Sequence, residues 1–256
     1  MLLGLDHLVI AVKDLGAAAR SYERLGFTVV TGGRHPEGSH NALIAFADGS
    51  YIELLAFYEP SPSHRWWAAL ERGGGLIDFC LASDDLVGDA ARFRRAGVNM
   101  SNPSPGARRR PDGYQLRWLL AKAEGPHRGV APFLILDETP RAERVPSRTR
   151  HANGVTGAGA VLVAVERLDE AGAWYREALG QPGERMASAG LDAEGLRFTV
   201  GPHAIELLAP RRPSGVIAAW LSRRGPSPYA VTLRAATGRK GPLDAALTQG
   251  ARLTVV

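Results

Sequence analysis

The chain has 256 residues, 45% hydrophobic and 22% charged, with a formal net charge of +5. That apolar content forms packed cores and excludes disorder as the main state, and the length allows two domains of about 100–150 residues each. There is no run of about 18 apolar residues to span a bilayer, no basic leader in Met1–His7, and only one cysteine, Cys80, so a membrane span, a signal peptide, an internal disulfide and a cysteine zinc cluster are not expected. A cytoplasmic location is expected.

In chain order, a short apolar strand over Leu5–Val12 leads through Asp14, at an N-cap position, into an amphipathic helix over Leu15–Leu25 that Gly26 closes. Strands follow around Phe27–Thr31, Asn41–Phe46 and Tyr51–Phe57, with Asp48-Gly49 as the hairpin turn between the last two. The unit is strand, helix, three strands. It repeats with Ile77–Ala82, a helix over Leu86–Ala96, and strands near Val98, over Gln115–Ala121 and over Phe133–Leu136. Residues 139–154, with Pro140 and Pro146, read as a linker. A third unit runs through Ala158–Val165, a helix over Leu168–Leu179, and strands near Pro182–Met186, Leu196–Val200 and Ala204–Ala209. The fourth has Tyr229–Arg234, a short helix about Leu243–Leu247 and Leu253–Val256, two strands short of the others.

An internal repeat underlies this order. Ile52-Glu53-Leu54-Leu55-Ala56 recurs unchanged as Ile205-Glu206-Leu207-Leu208-Ala209, an offset of 153 that also carries Ala11-Val12 onto Ala164-Val165, Tyr22 onto Tyr175 and Gly97 onto Gly250. A fainter offset of 71 carries Asp14 onto Asp85 and Gly26 onto Gly97. The expected fold class is therefore α+β: tandem βαβββ modules paired into cupped mixed sheets, in two domains (1–138 and 155–256), the second truncated.

The positive charge is local. Residues 106–150 hold ten basic and five acidic groups. Arg108-Arg109-Arg110 lacks the interleaved aromatics of a nucleic-acid face, so nucleic acid and membrane are not expected partners. A small ligand is expected instead, an anionic one if it enters past Arg108–Arg110 and Arg117. A homodimer is compatible with the chain.

These paired modules, with Leu5-Asp6-His7-Leu8-Val9 opening the first and Ile52-Glu53-Leu54 closing it, resemble the vicinal oxygen chelate superfamily. The stretches Gly33-Arg34-His35-Pro36 and His40-Asn41-Ala42-Leu43, followed by Arg110-Pro111-Asp112-Gly113, resemble its glyoxalase-like subgroup. The resemblance implies a divalent metal in the concave face of a paired sheet, with ligands on the first and last strands of each module. Carried over, it assigns His7 and Glu53 as ligands. His40, one strand before Glu53, completes a two-histidine, one-carboxylate set suited to Fe, Mn, Ni or Zn. Strand alternation supports the His7 and Glu53 assignment, since His7, Val9 and Ala11 share a face, as do Tyr51, Glu53 and Leu55.

The second module departs from the pattern. Asp78 falls where a ligand histidine is expected, and Phe133–Leu136 offers no carboxylate. In the third, Ala160 replaces His7, so the second half reads as structural or as a partner surface. Glu53 and Asp78 are the candidate catalytic bases; Asn41, Tyr51, Arg110, Arg117 and Trp118 are the candidate substrate-binding residues. Two readings follow. One is a metal-dependent lyase or isomerase; the other is a metal-free protein that sequesters a small aromatic or anionic compound, with no cofactor.

Overall fold

The apolar alternation at the start folds as β1 (Leu2–Ala11). The Asp14 carboxylate then accepts from the Ala17 N–H at 2.8 Å, starting α1 (Leu15–Arg24), and Gly26 turns the chain out of the helix at φ +85°. In this computed structural model, which describes residues 1–238 and 240–256, the first unit continues as β2 (Val30–Arg34), β3 (Ser39–Ala45) and β4 (Tyr51–Phe57). A short helix, α2 (Trp67–Glu71), connects to β5 (Gly75–Ser83), α3 (Leu86–Arg95), β6 (Ser104–Arg109), β7 (Gln115–Ala121) and β8 (Phe133–Asp137). Asp85 caps α3 as Asp14 caps α1, accepting from Gly88 N–H at 3.0 Å.

The eight strands close into a barrel in the order β1-β4-β3-β2-β6-β7-β8-β5. Modules meet where β1 runs antiparallel to β5, pairing His7 with Cys80 and Val9 with Asp78. Those two pairs are images of each other under the offset of 71, so the barrel has a pseudo-twofold axis through this seam. The opposite seam, β2 on β6, rests on the single pair Arg34–Arg109. The paired βαβββ modules thus form the expected cupped sheet, closed here into a barrel.

After α4 (Arg141–Arg144), the second half comprises β9 (Val155–Ala164), α5 (Leu168–Leu179), β10 (Glu184–Ser188), β11 (Ala193–Val200), β12 (His203–Pro210), α6 (Val216–Arg224), β13 (Ser227–Ala235), β14 (Gly241–Pro242) and β15 (Leu253–Val255). These strands form an open seven-stranded sheet. The offset of 153 holds in its register: His7–Tyr51 and Val9–Glu53 in the barrel become Ala160–Ala204 and Leu162–Glu206. Its concave face is filled by α6, where Ile217 and Trp220 pack on Ala164, Leu208 and Tyr229.

Several local expectations shift. β2 begins at Val30 because Phe27 turns inward beneath α1, its ring 5.9 Å from Tyr22. The strand expected near Val98 lies at β6, and only a bridge from Met100 to Ala123 precedes it. Leu243–Leu247 is a turn rather than a helix: Asp244 bonds Ala246 and Thr248, and the chain reverses at Gln249 (φ +57°) and Gly250. The stretch 139–154 is ordered, and it buries the Arg144 side chain of α4.

Both halves share one core, which includes Tyr22, Phe93, Tyr175 and Phe198. Tyr22 donates to the Thr248 carbonyl at 3.1 Å and Tyr175 to that of Val130 at 2.7 Å, each crossing from one half to the other. Among the described residues, no helix is long and apolar enough to cross a membrane.

Candidate functional site

Alternation along the barrel strands sends Leu8, Ile10, Ile52 and Leu54 outward into the shared core and Val9, Leu55, Trp118 and Phe133 inward. The inward set does not fill the barrel. It leaves a cavity of about 350 Å³, lined from the strands by His7, Asn41, Tyr51, Glu53, Trp118 and Phe133 and from connecting segments by His35, His64, Arg65 and Trp66. Arg108 on β6 and Arg144 on α4 complete the wall.

Glu53 is buried at the centre of this lining. Asn41 Nδ2 donates to its Oε1 at 2.6 Å, His7 Nε2 lies 3.5 Å from Oε2, and His35 Nε2 lies 3.8 Å from Oε1. His7 stacks on Tyr51, with ring centroids 4.7 Å apart, and its Nδ1 is 2.6 Å from Asp6 Oδ1. Burial alone would raise the Asp6 carboxyl, but Arg144, His7 and Arg141 hold it well below the usual carboxylate range. Ionised Asp6 therefore accepts a hydrogen bond from Nδ1–H and turns Nε2 of His7 toward Glu53.

Arg144 ties this arrangement together from outside the strands. It reaches Asp6 Oδ2 at 2.7 Å, Asp137 Oδ2 at 3.0 Å and the Tyr51 hydroxyl at 2.7 Å. Arg108 is its neighbour, donating to the Arg144 carbonyl at 2.8 Å. Arg108 is only 3% exposed, its Nε has no hydrogen-bond partner, and no described carboxylate lies within 4.0 Å of its guanidinium. A buried cation without a counter-ion is costly, so this is the charge the cavity leaves open.

On the loop after β2, burial lowers His35 to about 4 from its ordinary 6.5, with Glu53 opposing and Arg108 assisting. The folded value is below the unfolded one, so the unfolded chain takes the proton first. Stability is complete above about pH 6.5 and is lost as pH falls toward 4. Replacing His35 with Gln should remove roughly 3 kcal/mol of that loss, flattening stability between pH 7 and 4 relative to wild type; an unchanged profile contradicts the burial of a neutral ring.

The cavity brings together His7, Asn41, Tyr51, Glu53 and Trp118 and leaves out the other sequence candidates. His40 is corrected first. It neighbours Asn41 on β3, so when Asn41 points inward His40 must point outward, where its ring meets Tyr58. Arg117 is outside for the same reason, next to inward Trp118. Arg110 lies past the end of β6 and pairs with exposed Asp112. Asp78 is fully buried but does not line the cavity: Arg65 and Trp66 Nε1 occupy its Oδ2 at 3.0 and 2.8 Å, and Phe79 N–H its Oδ1 at 3.0 Å, so no oxygen is free to act as a base. The residues that sequence reasoning passed over, His35, His64, Arg65, Arg108 and Arg144, come mostly from loops. Arg108 alone carried a signal, through the alternation of β6 against β7.

The family model for "Glyoxalase-like domain" matches residues 5–179. The chain belongs to this family. As a glyoxalase-like protein it is a member of the vicinal oxygen chelate superfamily, and its fold matches solved structures over its whole length. A hypothetical protein from Staphylococcus aureus is 13% identical, with 100% of this chain and 99% of that one covered at a TM-score of 0.73. A triple mutant of 4-hydroxymandelate synthase from Streptomyces coelicolor is 17% identical, with 91% and 71% covered and a TM-score of 0.65. No curated protein matches the sequence.

Relatives in the superfamily usually use a divalent metal; here two of the four customary strand positions offer free donors, and His35 on the loop after β2 lies beside Glu53. Of the first- and last-strand positions, His7 and Glu53 offer donors, Asp78 is committed to Arg65, and β8 presents Phe133 and Ile135. Among the described residues, the donors that gather within 4.8 Å of one another are Asp6, His7 and Cys80. There the Asp6 carboxylate is already held by Arg141 and Arg144, and burial raises the Cys80 thiol well above its ordinary value, away from thiolate.

Proposed function

We propose that this glyoxalase-like protein binds a small organic anion inside the barrel, against Arg108, and uses Glu53 to exchange a proton with it, without a resident metal ion. The observation that carries the reading is Arg108, a buried cation with no described carboxylate within 4.0 Å, in the same cavity as the buried Glu53. An anion there supplies the missing charge through charge-assisted hydrogen bonds. Glu53 is the group positioned for proton transfer, with Asn41 orienting one oxygen and His7 facing the other. Asp6 orients His7, and Arg144 holds Asp6. Without turnover, the same cavity would serve as a sequestering site, and its aromatic walls suit that second role.

The test is chelation. Dialysis against a strong chelator should leave the melting temperature unchanged, and small carboxylic acids should still raise it afterwards. A melting temperature that falls on chelation and recovers with Zn(II), Mn(II), Fe(II) or Ni(II) contradicts the metal-free reading. Proton exchange is followed separately, as deuterium uptake from solvent into a bound acid; Glu53→Gln should abolish uptake while preserving binding.

A further inference from the structure

Three features of the cavity go further than its charge. One deeply buried guanidinium in it is free of a carboxylate, while Lys122, less buried, also lines the wall. Arg144 is neutralised by Asp6 and Asp137, and Arg65 by Asp78, which leaves Arg108 as the deeply buried guanidinium without a described carboxylate partner. Its walls are aromatic: Trp66 and Trp118 line it, and Phe133 lies with its ring centroid 5.7 Å from Trp66. Its size, about 350 Å³, is at the small end for ligand sites, which run from about 300 to 1,000 Å³.

The backbone makes room for one of these walls. At Gly106 on β6 a Cβ would lie 2.2 Å from Trp118 Nε1, so the indole rests against the barrel strand where any other residue would push it into the cavity. Gly106 is not in the left-handed region; its lack of a side chain, and not its backbone freedom, is what the indole requires.

We infer that the ligand is a small aromatic monocarboxylic acid, with its carboxylate on Arg108 and its ring among Trp66, Trp118 and Phe133. This rests on the anion-binding reading above and narrows it. A second carboxylate would meet no further unpaired buried guanidinium and would share the cavity with Glu53, and an aliphatic acid would forgo the edge and face contacts that aromatic rings make with each other.

Three probes separate the parts of this claim. Benzoate has both ring and charge, cyclohexanecarboxylate keeps the charge without the π face, and benzamide keeps the ring without the charge. Binding is read by tryptophan fluorescence, since Trp66 and Trp118 line the cavity, and by ligand-observed NMR. Benzoate should bind about tenfold more tightly than either analogue. Arg108→Gln should bring benzoate down to the level of benzamide. Trp118→Leu, which leaves every charge in place, should bring benzoate toward cyclohexanecarboxylate while both acids still outbind benzamide. If cyclohexanecarboxylate binds wild type as tightly as benzoate, the aromatic class is overturned and the anion reading stands. If benzamide matches benzoate, or none of the three binds at millimolar concentration, the anion reading falls and this inference with it.

Discussion

Replacing Arg144 with Met should destabilise the protein by about 3–5 kcal/mol, because it leaves the fully buried Asp6 carboxylate without its main counter-ion and removes one partner of Asp137. Burial works against the charged form of Arg144 too, yet Asp6 and Tyr51 keep its pKa well above the ordinary value, so the pair survives burial through geometry. For a chain of this size the loss should lower the melting temperature by roughly 10 °C. Arg144→Lys keeps the charge but not the fork that reaches Asp6, Asp137 and Tyr51 together, and should recover only part of it. A double variant, Asp6→Asn with Arg144→Met, should be more stable than Arg144→Met alone, since it removes the orphaned charge. Urea unfolding measures all three, and a loss below about 1 kcal/mol in the single Met variant would show that Asp6 is not held by this contact.

The second large effect is expected on the neighbouring strand, β5. Asp78→Ala should also cost about 3–5 kcal/mol, because Arg65 loses its carboxylate in a buried setting. Trp66 Nε1 and the Phe79 N–H lose their acceptor at the same time. Burial already lowers the Arg65 pKa and raises that of Asp78, so each charge depends on its partner more than on solvent. Adding Arg65→Met to Asp78→Ala should restore a large part of the loss, and a double-mutant cycle reads the coupling directly. Two independent, additive single effects would mean that the pair is not a unit. Because Trp66 lines the cavity, Asp78→Ala should also alter tryptophan emission.

These two ion pairs mark what local sequence patterns can and cannot carry. The duplication, the caps at Asp14 and Asp85 and the inward faces of β1 and β4 are legible because they obey short-range periodicity. His7 and Glu53 follow from that periodicity and from the family resemblance. The same rule also separates Asn41 from His40 and Trp118 from Arg117, for a strand cannot send adjacent side chains to one face; a histidine or arginine close in sequence to a cavity residue is therefore the wrong choice. His35, His64 and Arg65 sit on connections with no periodic face, and nothing local aims them at Glu53. Arg144 lies more furthest from view. It is 138 residues from Asp6, in a stretch whose prolines suggest a linker, and only the closed barrel shows that its guanidinium enters the wall. Barrel closure is itself non-local, since the seam between β2 and β6 depends on one residue pair.

The duplicated half shows how the same scaffold loses its cavity. Trp67 and Trp220 are equivalent under the offset of 153, but α6 is longer than α2 and lays Ile217 and Trp220 across its sheet. Glu206 keeps the place of Glu53 and pairs with Arg197 where Glu53 has Asn41 and two histidines. In the second half α6 covers the sheet with Ile217 and Trp220.

The central claim is that Arg108 anchors an organic anion without help from a metal. Calorimetric titration of benzoate into chelator-treated protein, with Arg108→Gln beside wild type, tests it most directly. The same affinity is expected with and without the chelator, with at least about a tenfold loss in the variant. Binding that appears only when a divalent ion is restored, or that is equal in the variant and wild type, would contradict it.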